Sequence, residues 1–203
     1  AVLGSEYNIW SDKASPEHDL LIPFIRMVSG PMDYEPGFYN NANQKSFRPL
    51  PEMVMSQGTR THQLAMFVAY ESPVQMFSGN PSDAYPEIGF TTYLASLPTT
   101  WDDIRVLDAK LGDYLVVARR KDNDWYLAAM TDWTAREITV SLSFLADGKY
   151  RALSCEDGIN AAKNASDYQM GYRMIDNSGH LELKMAPGGG YVVKLIKLDD
   201  ARP

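Results

Sequence analysis

The sequence predicts an α/β segment joined near Thr99 to an all-β segment that folds as an antiparallel sandwich. Up to about Pro98, short apolar runs alternate with helical patterns, the order of a parallel sheet or barrel. From Thr99 the apolar period becomes two, and each run is bounded by turn residues. The composition is that of a folded globular chain, with 45% apolar and 22% charged residues among 203. A whole (β/α)8 barrel needs about 250 residues, so a complete one cannot fit here beside a sandwich.

In the first segment Ala1–Leu3 reads as the end of a strand, followed by a polar, aromatic loop through Ser15. Pro16 and Glu17 suit the first turn of a helix capped by Ser15 and running to about Ser29, with a kink or break expected at Pro23. Gly30–Tyr34 is a short strand end, and Glu35-Pro36-Gly37 turns out of it. Phe38–Pro51, rich in Asn and Pro, is a loop of the length that usually carries a function. Ser56–Glu71 is the clearest helix, with Leu64, Ala65, Val68 and Ala69 forming its buried stripe. Val74–Phe77 is a short strand, and Ser82–Leu97 a last helix before Pro98.

In the second segment the β runs are Trp101–Leu107, Tyr114–Arg120, Trp125–Thr131, Glu137–Ser143, Gly148–Leu153, Tyr168–Ile175, His180–Met185 and Gly190–Ile196. Turns such as Lys121-Asp122-Asn123-Asp124 and Asn177-Ser178-Gly179 separate them. Spacing of about 8–15 residues is that of a sandwich.

Charge and composition exclude several functions. With 19 Lys+Arg against 26 Asp+Glu the formal charge is −7, which opposes electrostatic binding to nucleic acid or anionic membranes. No apolar run approaches the roughly 18 residues of a membrane span. The single cysteine, Cys155, rules out an internal disulfide framework and a multi-cysteine metal site. Three scattered histidines do not make a metal cage. His62 reads as a satisfied imidazole on its helix, His180 as solvent-facing, and His18 as close to the loop face. Pro187-Gly188-Gly189-Gly190 enters a strand and reads as a tight turn, not a phosphate loop.

What remains is carboxylates and aromatics in loops that follow strands. Glu6 precedes Tyr7, Asn8 and Trp10, and Asp33 follows Gly30-Pro31-Met32. In barrels the chemistry lies at the C-terminal ends of the strands. A carboxyl beside aromatic rings can have its pKa raised by desolvation, as a general acid requires. Aromatic rings with carboxylates also suit sugars, which offer CH faces for stacking and hydroxyls for hydrogen bonds.

The blocks Gly4-Ser5-Glu6-Tyr7-Asn8-Ile9-Trp10-Ser11 and Ile22-Pro23-Phe24-Ile25-Arg26-Met27-Val28-Ser29-Gly30-Pro31-Met32-Asp33-Tyr34-Glu35-Pro36-Gly37 resemble glycoside hydrolase family 97. So do Gln63-Leu64-Ala65, Tyr70-Glu71-Ser72-Pro73-Val74-Gln75-Met76, Pro98-Thr99-Thr100-Trp101-Asp102 and Ala186-Pro187-Gly188-Gly189-Gly190. The resemblance implies that residues 1–98 are the C-terminal part of a catalytic (β/α)8 barrel and residues 99–203 a C-terminal β-sandwich domain. It implies an exo-acting, calcium-dependent α-glucosidase or α-galactosidase, exported to the periplasm or secreted, acting on oligosaccharides with a terminal α-linked sugar. By motif position Glu6 resembles the general acid, with Asp33, Tyr7 and Trp10 facing substrate. The partner carboxylate and most calcium ligands are expected upstream of Ala1, so no calcium is expected on this chain alone. Leu3 stands where many relatives have Arg, and Ile25 where Thr is usual. A non-catalytic reading is a carbohydrate-binding or self-associating module, with Trp125, Tyr126, Trp133, Tyr150, Tyr168, Tyr172 and Tyr191 as a sugar platform.

Overall fold

The computed structural model describes residues 2–37, 39–76 and 78–198. The first segment contains a 3-10 turn at Ser5–Ile9, helix α1 (Pro16–Ile25) and strands β1 (Asp33–Tyr34), β2 (Asn41–Ala42) and β3 (Ser56–Gln57). Helix α2 (Arg60–Ala69), strand β4 (Val74–Gln75) and helix α3 (Ile88–Ala95) complete it. The second carries β5 (Asp103–Lys110), β6 (Tyr114–Lys121), β7 (Asp124–Thr131), β8 (Arg136–Ser141), β9 (Tyr150–Asp157), β10 (Tyr168–Ile175), β11 (His180–Met185) and β12 (Gly190–Lys197).

The predicted antiparallel β architecture is present. Six strands pair in the order β10-β9-β12-β7-β6-β5, and β8 with β11 forms a second, two-stranded sheet. The central strands are buried on both faces, so polar alternation is lost there. On β6, Leu115 and Val117 face the helices, while Val116 and Ala118 face the β8–β11 pair. On β7 the split is Tyr126, Ala128 and Met130 against Trp125, Leu127 and Ala129. The alternation survives on the covering strand β11, where Leu181, Leu183 and Met185 point in and His180, Glu182 and Lys184 point out. One core thus lies inside the sandwich, and the other between its outer face and the helices.

The first segment departs from expectation at its element ends. Residues 2–4 form no strand, and Ala1 lies outside the described residues. Helix α1 stops at Ile25 and a 3-10 turn, Met27–Ser29, follows it to Gly30, whose φ of 105° ends the coil. Ser15 precedes the helix without a capping bond to its backbone; its hydroxyl donates to Glu17 instead. Helix α2 starts four residues later than expected. Ser56 and Gln57 pair in parallel with β2, Gly58 turns at φ 89°, and Thr59 caps by accepting the His62 N–H at 3.0 Å. Pro86 and the non-helical Glu87 leave Pro81–Glu87 as a 3-10 helix before α3. Strand β4 ends at Gln75; Phe77, like Phe38 of the long loop, lies outside the described residues.

Every residue of α2 is buried, because the helix is pressed between the first segment and the sheet. Its N-terminus docks on the turn Pro187–Gly190. Thr59 N–H donates to Gly188 O at 2.8 Å, and a Cβ on Gly190 would stand 2.6 Å from Thr61 O, so only glycine permits the approach. Asp157 at the end of β9 ties the joint, accepting from Thr59 Oγ1 at 2.6 Å, Ala186 N at 2.8 Å and Gly190 N at 3.2 Å. At the other end of α2, Arg119 donates to Ala69 O at 3.0 Å.

Candidate active site

Glu6 lies on the exposed side of the Ser5–Ile9 turn, and its backbone is pinned on both flanks. Upstream, Leu3 N–H donates to His18 Nε2 at 3.1 Å, and Tyr34 Oη donates to Leu3 O at 3.2 Å. Over the turn itself, Ser5 N–H donates to Glu35 O and Glu6 N–H to Glu35 Oε1, each at 3.2 Å. Glu35 follows β1 directly and serves the turn as a cap supplied from another element, satisfying donors that a 3-10 start leaves free. Gly4 makes room for it, since a Cβ there would stand 2.7 Å from Glu35 Oε1. Downstream, Gln57 Nε2 donates to Asn8 Oδ1, Asp12 O and Ala14 O, each at 3.1 Å.

Behind these pins sits Asp19, buried on α1. It accepts from His18 Nδ1 at 3.3 Å, His62 Nε2 at 3.3 Å and Tyr34 Oη at 3.3 Å, and its own carbonyl accepts from Tyr70 Oη at 2.8 Å. Burial alone would push this carboxyl up, but the hydrogen bonds from His18 and His62, together with the His62 charge, outweigh it and hold it below its ordinary value. The Tyr34 hydroxyl is raised well above its ordinary value by burial and then by the Asp19 charge. Glu35 is raised by burial, opposed by its bond from Glu6 N–H, with the Glu6 carboxylate adding to the rise.

A cavity of about 310 Å³ collects Glu6, Asp33, Glu35 and Arg26, walled by Met32 and Met76. Arg26 donates to Gly30 O at 3.1 Å, fixing the Gly30-Pro31 bend that leads to Asp33. Of the sequence-predicted site residues, Glu6 and Asp33 therefore share one cavity. Tyr7 and Trp10 do not line it. At about three residues per turn a 3-10 helix turns the residue after Glu6 to another side. Tyr7 and Trp10 pack edge to face at 5.8 Å, and Trp10 opens onto a separate recess with Trp133 and Arg48. Sequence reasoning missed Asp19, Glu35 and Gln57, whose only signal was proximity to named motifs. Of the proposed sugar platform, Trp125, Tyr126, Tyr150 and Tyr191 are buried in the two cores, Trp133 and Tyr168 are half-buried, and Tyr172 is exposed. Among the described residues no group of three or more His, Cys, Asp or Glu is arranged to hold a metal ion.

Residues 100–196 match the family model described as Glycosyl-hydrolase 97 C-terminal, oligomerisation. Over 196 residues, 96% of the chain, the sequence is 44% identical to a retaining alpha-galactosidase of Bacteroides thetaiotaomicron. The chain belongs to glycoside hydrolase family 97. It covers 30% of that relative's length. A probable retaining alpha-galactosidase of Streptomyces bingchenggensis is 30% identical over 128 residues, 62% of the chain and 18% of the relative. Among solved structures, a family 97 enzyme in complex with panose from Pseudoalteromonas sp. strain K8 superposes with a TM-score of 0.87 at 33% identity, over 97% of this chain and 31% of that one. The chain thus spans about a third of the family 97 proteins it matches.

Proposed function

We propose that the whole protein is a retaining α-galactosidase of family 97, with Glu6 as its acid/base. The 44% identity to a retaining alpha-galactosidase across 96% of the chain carries this reading. In it, residues 1–98 are the C-terminal part of the catalytic barrel and residues 99–203 the appended sandwich domain. Glu6 gives a proton to the glycosidic oxygen as the leaving group departs, then takes one from the water that releases the sugar. A carboxylate outside this chain attacks the anomeric carbon. Asp33 and Arg26, in the same cavity, meet hydroxyls of the terminal α-linked galactose, and Tyr7 and Trp10 lie further along the substrate. Calcium is bound by carboxylates outside these residues, and the whole protein works in the periplasm or outside the cell. The relation of residues 100–196 to a domain described as oligomerisation, with Met170, Tyr172 and Met174 exposed on edge strand β10, supports self-association of the whole protein.

The test is the leaving group. In the whole protein Glu6→Gln should lower kcat/KM on the order of 10²–10⁴-fold for galactosides of sugar alcohols, and far less for dinitrophenyl galactoside, whose leaving group needs no proton. Equal losses on both would remove Glu6 from the acid role. The 203-residue chain alone, lacking the second carboxylate, should show no turnover above its own Glu6→Gln variant.

A further inference from the structure

We infer that His18 and Tyr34, organised by Asp19, are positioning residues for Glu6, holding the Leu3 peptide so that the Glu6 turn is presented in one place. This rests on the acid reading of Glu6 given above. Leu3 N–H can only donate, so His18 Nε2 must be the bare, accepting nitrogen of the ring. The ring proton then lies on Nδ1, where it donates to Asp19 Oδ1. Asp19 therefore selects the tautomer that can bind Leu3, as a carboxylate commonly does for a working imidazole. The next peptide unit, on the other side of Leu3 Cα, is met by Tyr34, whose hydroxyl proton is shared between Leu3 O and Asp19 Oδ1.

One buried carboxylate thus sets both groups that grip the backbone on either side of Leu3 Cα, three residues before Glu6. Asp19 is fixed in turn by His62 Nε2, and His62 Nδ1 meets Gly189 O at 3.1 Å in the sandwich turn. A continuous line of hydrogen bonds runs from the sandwich to the turn that carries the acid. Neither His18, Asp19 nor His62 lines the cavity beside Glu6, and only Tyr34 of this line does. His18 and Asp19 therefore act through the backbone and not on substrate. A displacement of about 1 Å at a reacting group can cost roughly 10²-fold in rate, which gives such a device its leverage.

The experiment compares His18→Leu with His18→Gln in the whole protein. Gln can rotate its amide to present an oxygen to Leu3 N–H; Leu cannot. His18→Leu should lower kcat/KM for poor leaving groups about 10–100-fold, with kcat/KM for activated leaving groups less affected. His18→Gln should recover most of the loss. Tyr34→Phe, which keeps the ring packed on Tyr70, should give a smaller loss of the same pattern and serves if His18→Leu folds poorly. Equal losses on both leaving groups, or no recovery with Gln, would overturn the inference. Amide hydrogen exchange supplies a readout independent of chemistry: in His18→Leu the segment 3–6 should exchange about tenfold faster or more, with α2 unchanged. Unchanged protection there overturns the positioning role even if Glu6 proves to be the acid. A flat leaving-group response of Glu6→Gln would sink the acid reading alone, and exchange would still decide whether His18 holds the turn.

Discussion

The central sheet and the Glu6 turn are held by different physics. Strands β6, β7 and β12 are buried on both faces by apolar side chains, an interaction without direction that scales with area. The turn at Ser5–Ile9 buries only Ser5 and Asn8, both polar, and is located by single hydrogen bonds to His18, Tyr34, Glu35 and Gln57. Stability therefore resides in the first region and the aim of one carboxyl in the second. Losing a contact in the sheet should lower the folded fraction, whereas losing a bond at the turn should lower the rate of folded molecules.

The largest effect should come from the sheet. Leu127 is fully buried between β7 and the β8–β11 pair, and Leu127→Ala leaves a cavity there. Loss of about 2–5 kcal/mol in urea unfolding is expected, with activity per folded molecule of the whole protein unchanged. A loss below about 1 kcal/mol would mean that the inner core can collapse around the gap.

The joint between the regions should respond to pH. Burial raises the Asp157 carboxyl to about 6 against the pull of its three hydrogen-bond donors. The folded state then holds this proton more tightly than the unfolded chain does, where the value is 3.8. Its contribution is complete below about pH 4 and is lost as pH rises through about 6. Other carboxyls, Asp19 among them, are lowered and act in the opposite sense, so the test is the difference from Asp157→Asn. Between pH 4 and 7 that difference should move by roughly 2–3 kcal/mol in favour of the Asn variant. A gap that is flat with pH would contradict the buried-carboxyl account.

What was legible in the sequence divides along the same line. The eight sandwich strands follow from short apolar runs bounded by turn residues; the period of two survives on the covering strand β11, whereas β6, β7 and β12 are apolar on both faces. Helix α2 was legible from its apolar stripe, but its start was not: nothing in Ser56-Gln57-Gly58 announces that β2 lies 14 residues away ready to pair. Glu6 and Asp33 stood out as carboxylates in loops beside aromatic residues, and Glu6 took its role from a block resembling a family. Asp19, Glu35 and Gln57 have partners 15 to 49 residues distant, and such pairings leave no local pattern to read.

Glycines sharpen the comparison further, since each region contains one that admits a close neighbour. At Gly190 an added Cβ would meet Thr61 O at 2.6 Å and His62 N at 2.7 Å, backbone atoms of a fully buried helix that cannot yield. Gly190→Ala should cost about 1–3 kcal/mol of stability by forcing α2 from the sheet. Retention of full stability would show that the joint is looser than its distances imply.

At Gly4 the atom met is Glu35 Oε1 at 2.7 Å, the far end of a side chain that can swing aside. Gly4→Ala should therefore leave stability within about 0.5 kcal/mol, the range of ordinary surface changes. It should still cost the whole protein a few-fold in kcat for poor leaving groups, because Glu35 can no longer accept the Glu6 N–H. Glu35→Gln keeps an acceptor at that place and should cost less, which separates loss of the cap from loss of the charge. If Gly4→Ala instead lowers the melting temperature as far as Gly190→Ala does, the turn belongs to the cooperative core and the contrast between the two regions fails.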